Sequence, residues 1–472
     1  MADALASVLA LSGGSLAVSG SQTEVLDLGV LRTNVGRLVE ASALSGGGVA
    51  GWSRYVVRAA ALELGILPSS IHELYMARGR GQLPTTFTVP AINLRALSFE
   101  AARAVMRAAR QLNAGALIFE IARSEIGYTS QRPAEYATNV LAAAIAEGHQ
   151  GPIFIQGDHF QISAKRYAAD PDKELDAVRT LAIEAMHSGF FNIDIDTSTL
   201  VDLSKGAIAA QQETNFSLSS QLAADIRAAQ PDGVVISIGG EIGEVGGKNS
   251  TEAELRAYMG GFNAEFSRKG RGQPGLSKIS IQTGTSHGGT VLPDGTIAQV
   301  DVDFETLVKL SRVARLEYGL GGAVQHGAST LPEGAFGKFV ESEAVEVHLA
   351  TNFMTMFYEH IPEELRQEMY RWLDENFAGD KKPGMTDEQF YYKTRKNALG
   401  EFKAQTYALP ADVKSTLAEA WEVQFLKLFT LLGLRDTRRF VDQYVKPVAV
   451  QPVLSDYVQP DRAGEEVSDL AD

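Results

Sequence analysis

Five short segments of the 472-residue chain each run into ionisable residues: Gly157-Asp158-His159, Asp194-Ile195-Asp196-Thr197-Ser198, Gly240-Glu241-Ile242-Gly243-Glu244-Val245-Gly246-Gly247, Gly284-Thr285-Ser286-His287-Gly288-Gly289 and Gln325-His326-Gly327-Ala328-Ser329-Thr330. The chain has eight histidines and no cysteine, so any metal must be held by imidazole, carboxylate or water. Three imidazoles with an open coordination position are what a catalytic zinc ion requires, because the open position takes substrate oxygens. His159, His287 and His326 stand at corresponding segment ends and are the candidate ligands. The turns His287-Gly288-Gly289 and His326-Gly327-Ala328-Ser329 leave backbone N–H groups for an anion, and with Ser329 and Thr351 nearby they point to a phosphate.

Bringing five such ends to one rim takes parallel strands joined by helices. From Thr85 onward, short runs rich in β-branched residues alternate with amphipathic stretches, the pattern of βα units. The spacing predicts strands over Thr86–Asn93, Ala116–Ala122, Pro152–His159, Phe191–Thr197, Val234–Gly240, Ile279–Gly284, Gly322–Gln325 and Ala344–Ala350. Helical periodicity predicts helices over Phe99–Asn113, Glu135–Glu147, Lys173–Ser188, Leu218–Ala229, Glu252–Lys269 and Phe304–Glu317. Eight such repeats predict an α/β fold, a closed (β/α)8 TIM barrel over residues 85–360, with its reactive face at the C-terminal ends of the strands. An open dinucleotide-binding sheet is disfavoured, because Asn93-Leu94-Arg95-Ala96-Leu97 follows the first strand in place of a glycine-rich turn. Four histidines miss the rim: His72 and His149 fall outside the strand ends, His187 ends a helix and His360 lies beyond the eighth strand. Residues 1–84 are expected to form a partly helical N-terminal extension, 361–446 a helical C-terminal extension, and 447–472 a disordered acidic tail. Both flanks are assigned to packing and to homo-oligomer contacts.

The charge narrows the partners. Lys and Arg number 43 against 58 Asp and Glu, a formal charge of −15, which disfavours nucleic acid and anionic membranes. Small phosphorylated ligands stay compatible, since amides bind them locally. The N-terminus has no basic region, and Leu5–Val18 is too short and too interrupted by Gly and Ser to span a bilayer. A soluble cytoplasmic protein without a nucleic-acid or membrane partner is expected.

At these residues the chain resembles the class II, metal-dependent fructose-bisphosphate and tagatose-bisphosphate aldolases, from about Thr88 to Asn352. The resemblance is carried by Val89-Pro90-Ala91-Ile92-Asn93, the Asp158-His159 pair, the Glu241 to Gly247 loop, Gly284 to Gly288, His326 to Ser329 and Val347 to Thr351, in the family's order. It implies zinc held by His159, His287 and His326, with Glu241 and Asp196 as further ligands or as carboxylates that orient the histidines. Asp158 would move the proton at the hydroxyl oxygen of the bond made or broken. Gly288, Gly327, Ser329 and Thr351 would hold the phosphate of a dihydroxyacetone-phosphate-like donor, with Asn93 and Ser198 completing the pocket. The implied reaction is cleavage or formation of a ketose phosphate or bisphosphate through a metal-stabilised enediolate, as in glycolysis.

Three positions depart from the family's pattern. Lys248-Asn249-Ser250 follows Gly247 where adjacent acids are usual, with Glu244 and Glu252 as the nearest substitutes; no lysine follows His287; and His348 stands where an asparagine is usual. A Schiff-base aldolase instead needs a desolvated lysine near the reacting carbonyl. Lys278, which precedes the predicted sixth strand, is expected at the wrong end of the barrel. Gly157-Asp158-His159 and Glu120-Ile121-Ala122-Arg123-Ser124 also resemble the larger accessory subunit of tagatose-bisphosphate aldolase, which implies a competing role as a metal-binding, non-catalytic subunit.

Overall fold

Apolar runs that are buried on both faces pair best as parallel strands with helices outside, and the computed structural model has that arrangement. It describes residues 2–243, 248–284, 292, 302–329, 331–458 and 470. Eleven strands are present among them: β1 (Leu16–Ser19), β2 (Gln22–Val25), β3 (Ile66–Ser69), β4 (Val89–Asn93), β5 (Ile118–Ala122), β6 (Gly151–Gln161), β7 (Asn192–Asp196), β8 (Ser237–Glu241), β9 (Lys278–Ile281), β10 (Ala323–Gln325) and β11 (Glu346–Leu349). β1 and β2 form a small antiparallel hairpin. β4 to β11 pair in sequence order, all parallel, and β11 pairs back onto β4, so the sheet closes into an eight-stranded barrel. Every predicted barrel strand is present, with ends moved by a few residues.

β6 is the longest strand because it serves two neighbours on one side. Gly151 to Phe154 pair with β3 of the N-terminal segment, and Gln156 to Gln161 pair with β7. The N-terminal residues are thus joined to the barrel by sheet hydrogen bonds, and the helix Gly47–Glu63 is buried over most of its length against Leu28–Leu44 and Pro133–Glu147.

The barrel helices begin and end where local chemistry dictates. Thr251 and Glu254 form a capping box for Glu252–Lys269, and Asp170 caps Pro171–Ser188 with proline in its first turn. That helix ends at Gly189, whose φ of 101° a side chain would oppose. The helix Ser98–Leu112 buries Ala101, Ala102, Ala104, Ala108 and Ala109, and these small residues let it pack closely against the helices Pro133–Glu147 and Ala411–Leu431. Residues 447–458, expected to begin a disordered tail, return to the N-terminal layer: Tyr457 is buried and packs edge-on to Tyr55, a burial that acidic composition alone does not foretell. No helix among the described residues is long and apolar enough to cross a membrane.

Candidate metal centre and active site

Asp158 and His159 are adjacent in β6, and a regular strand would send them to opposite faces. A bulge brings both inward. Gly157 is level with Ile193 and Phe160 with Ile195, so two residues of β6 oppose the single Asp194 of β7. His159 takes the left-handed conformation, φ 39°, at this step. Gly157 has to be glycine, since a Cβ there would meet the Phe160 ring at 2.4 Å.

From this bulge His159 reaches three carboxylates. Its Nδ1 lies 3.2 Å from Asp196 Oδ2 and 3.4 Å from Glu241 Oε2, and its Nε2 lies 3.9 Å from Asp158 Oδ1. Asp196 is held in turn by Ser198, whose backbone N–H and hydroxyl donate to Oδ1 at 3.0 and 2.7 Å, and by Gln161, which donates to Oδ2 at 2.5 Å. His326, just past β10, lies 3.0 Å from the Ser280 hydroxyl through Nε2, and its ring centre is 4.2 Å from that of His159. One ligand atom each from His159, Glu241 and His326 falls within 4.8 Å of the others. Two imidazoles, a carboxylate and a second carboxylate bracing one imidazole suit a divalent ion. Of the five residues expected to bind metal, His159, His326, Glu241 and Asp196 come together; His287, like Gly288, lies outside the described residues.

Asp158 is fixed by a chain of hydrogen bonds. Asn93 donates through Nδ2 to Asp158 Oδ2 at 3.0 Å and to Glu125 Oε2 at 2.9 Å, and Glu125 is held by Arg95 at 2.5 Å and by the N–H of Ala122 at 2.9 Å. Burial works against ionisation of Asp158, but His159, His348 and His326 outweigh it and keep the carboxyl well below the usual range. Asp158, Glu241 and Asp196 hold His159 well above an ordinary imidazole against its burial. Burial pushes Glu241 up to about 7, with Asp196 adding to the rise. Asn93 and Ser198, expected to line a pocket, therefore brace Asp158 and Asp196.

Below the rim the interior differs from the sequence expectation. Lys278 is the first residue of β9 and points into the barrel, fully buried. It pairs with Asp194 at 2.9 Å, donates to Gln156 at 2.8 Å and pairs with Glu346. Asp194 and Glu346 overcome the cost of burial and hold its ammonium above the ordinary lysine range, so it stays charged and is not a nucleophile. The rejection of a Schiff-base lysine stands: Lys278 starts its strand, away from the C-terminal rim, and the pairing adds a second reason. His348 was singled out in the sequence without a role, and it is now part of the cluster: its ring centre is 4.0 Å from that of His326 and its Nδ1 is 3.2 Å from Asp158 Oδ1. Two-residue alternation with Val347 and Leu349 places Glu346 and His348 on one face of β11, the signal that could have found it. His72 is structural: its Nδ1 lies 2.7 Å from the Ser277 hydroxyl, and burial lowers its pKa to about 3.

The residues expected to bind phosphate sit where β10 and β11 end. Gly327 has φ 68°, Ser329 accepts from the N–H of Ala350 at 2.5 Å, and Thr351 opens the helix Thr351–His360. A cavity of about 340 Å³ beside them is lined by Ser329, Asn352 and Thr355 of the barrel and by Tyr392 and Gln424 of the C-terminal segment. Arg395 donates to the Thr355 hydroxyl at 2.7 Å and stacks on Tyr392. The C-terminal segment, read from sequence as packing, thus forms a wall beside the rim. In the loop after β8, Asn249 donates to Asp303 at 2.9 Å, and Glu244 lies outside the described residues.

A family model described as class-II fructose-bisphosphate aldolase matches residues 84–409, which takes in the barrel and part of the C-terminal helical segment. Among solved structures, the chain is similar to a fructose-bisphosphate aldolase from Campylobacter jejuni (15% identity, 76% of this chain and 92% of that one, TM-score 0.42). It is similar also to the YdjI aldolase from Escherichia coli K12 (13%, 71% and 96%, 0.40) and to the fructuronate-tagaturonate epimerase UxaE from Cohnella laeviribosi (10%, 93% and 90%, 0.49). A search of curated proteins gives no match. With a closed parallel barrel and a match over most of its length, the chain belongs to the class II fructose-bisphosphate aldolase family.

Proposed function

We propose that the chain is a zinc-dependent aldolase that cleaves or forms the carbon–carbon bond of a ketose phosphate or bisphosphate. The observation that carries this reading is the convergence of His159, Glu241 and His326 beside Asp158 at the C-terminal rim. In this reading His159, His326 and His287 hold zinc or another divalent ion, with Glu241 as a further ligand and Asp196 orienting His159. When bound, the ion supplies an electrophile for the negative charge that develops on the donor oxygens.

The chain's own residues do the rest. Asp158, ionised by its histidine neighbours and aimed by Asn93, takes or returns the proton of the substrate hydroxyl. Gly327, Ser329 and Thr351, with Gly288, bind the donor phosphate, and the wall from the C-terminal segment keeps water from that side. The protein works in the cytoplasm as a homo-oligomer on a small phosphorylated sugar.

Metal analysis coupled to a screen of ketose 1-phosphates and 1,6-bisphosphates tests metal, class and substrate together. Cleavage that a chelator abolishes and zinc restores is expected, and H287A should lose both bound zinc and turnover. Cleavage that persists after the metal is stripped refutes the mechanism. Bound zinc without cleavage until a second protein is added supports the accessory-subunit reading in its place.

A further inference from the structure

Arg395, in the C-terminal segment, is a buried cation that no carboxylate meets. It is 6% exposed and has no ion pair among the described residues. By contrast, Arg95 and Arg123 pair with Glu125 and Glu174, and Arg78 and Arg227 spread their donors over backbone carbonyls. Arg395 donates one side-chain hydrogen bond, from Nη2 to the neutral Thr355 hydroxyl at 2.7 Å, and its Nε has no partner. Burying a charge on such terms is costly, and an arginine cannot escape the cost by giving up its proton.

The charge stands behind the wall of the cavity beside the rim. Thr355, which takes its hydrogen bond, and Tyr392, whose ring centre is 4.2 Å from the guanidinium carbon, both line that cavity, with Ser329, Asn352 and Gln424. Tyr358 fixes the Arg395 backbone by donating to its carbonyl at 2.7 Å. Thr355 lies one turn past Thr351 and donates to the Thr351 carbonyl at 3.1 Å, so Arg395 is tied to the start of the helix Thr351–His360. Ser329 accepts from the N–H of Ala350 and keeps a hydroxyl hydrogen to give, while Asn352 and Gln424 add amide donors. The one acid on the cavity wall, Glu333, is paired with Lys427. At about 340 Å³ the cavity has room for a phosphate and the carbons that carry it.

We propose that Arg395 is the counter-charge for the substrate phosphate, supplied to the rim by the C-terminal segment and not by the barrel. This rests on the reading of Ser329 and Thr351 as phosphate-binding residues and adds the cation that reading lacks. No lysine follows His287, and Gly288, Gly327, Ser329 and Thr351 are all neutral. A guanidinium in a site of low dielectric adds charge-assisted attraction that neutral donors do not give. Arg395 is thus a binding residue that sets a preference for sugars with a phosphate at this end.

The test titrates the full-length chain with inorganic phosphate by calorimetry at constant ionic strength, with a chelator present so that no metal ion holds the anion. The wild type should bind phosphate and gain stability from it in urea unfolding. R395M should bind phosphate at least about tenfold more weakly and lose that gain, while its stability without phosphate is no lower than that of wild type, because an unmet charge has been removed. An arginine with a merely structural role predicts the reverse, a less stable R395M with wild-type phosphate affinity, and that affinity overturns the proposal. So does a wild type that binds no phosphate. If R395M does not fold by circular dichroism, Q424E takes its place: its carboxylate on the cavity wall should weaken phosphate binding at least about tenfold, and unchanged affinity overturns the proposal. Phosphate binding that depends on Arg395, in a wild type that cleaves no ketose phosphate, would retire the aldolase reading and leave the phosphate site standing. Cleavage with an unchanged KM in R395M would do the opposite.

Discussion

Glu346 and Glu120 both project into the barrel and are both fully buried, yet they end in opposite states. Glu346 meets Lys278, Tyr75, Gln156 and His348; burial resists its ionisation, but Lys278 and His348 outweigh that and bring its pKa down to about 2. Glu120 accepts one hydrogen bond, from Gln156, and burial pushes it up to about 8 although His348 pulls the other way. A buried carboxylate with a full set of donors is a strut between strands. Gln156 donates to both glutamates, so the difference between them lies in their other partners, above all in Lys278 beside Glu346.

The largest effects should fall on the rim. H159A and H326A are each expected to lose the ion of the His159–Glu241–His326 centre and to reduce ketose-phosphate cleavage to background while leaving the circular dichroism spectrum unchanged; an ion count equal to wild type in either would break the assignment. On the floor, K278M should leave Asp194 and Glu346 uncompensated and cost about 3–5 kcal/mol in urea unfolding. A stability equal to wild type would mean that the Lys278 pairs are not struts.

Smaller changes sharpen the contrast. S198A removes one of the two Ser198 donors to Asp196 and should weaken metal binding at the rim about tenfold in a chelator competition; unchanged affinity would show that Asp196 does not orient His159. Metal affinity should also fall on acidification. Glu241, raised to about 7, binds a proton below that pH, and His159, held well above the ordinary imidazole range, must also give up a proton to become a ligand, so affinity should keep falling as the pH is lowered, by at least about tenfold per unit below pH 7; equal affinity at pH 6 and pH 8 contradicts this. E120Q, whose parent is largely protonated at pH 7, should change unfolding free energy by less than about 1 kcal/mol. A loss as large as that of K278M would erase the difference between the two glutamates.

Most of the barrel was legible from periodicity. β-branched runs and helical stretches marked all eight strands, and the rim residues Asp158, His159, Asp196, Glu241 and His326 followed from asking which strand ends carry ionisable groups. What periodicity missed was orientation. The bulge at Asp158 and His159 depends on pairing with β7, and the inward turn of Lys278 depends on where β9 begins, one residue before the predicted start. His348 was visible as an odd residue on a strand, but its partners Glu120 and Asp158 come from β5 and β6, far away in the chain.

By itself, the sequence determined that a parallel barrel forms, that no thiolate site is possible, and that imidazoles and carboxylates gather at one rim, because these follow from residue type and local period. Tertiary structure alone decided which carboxylates are satisfied and which are left with a bare oxygen. That outcome depends on angles and distances of a few tenths of an ångström between strands that are not neighbours in sequence, as in the triangle of Glu120, Asp158 and His348.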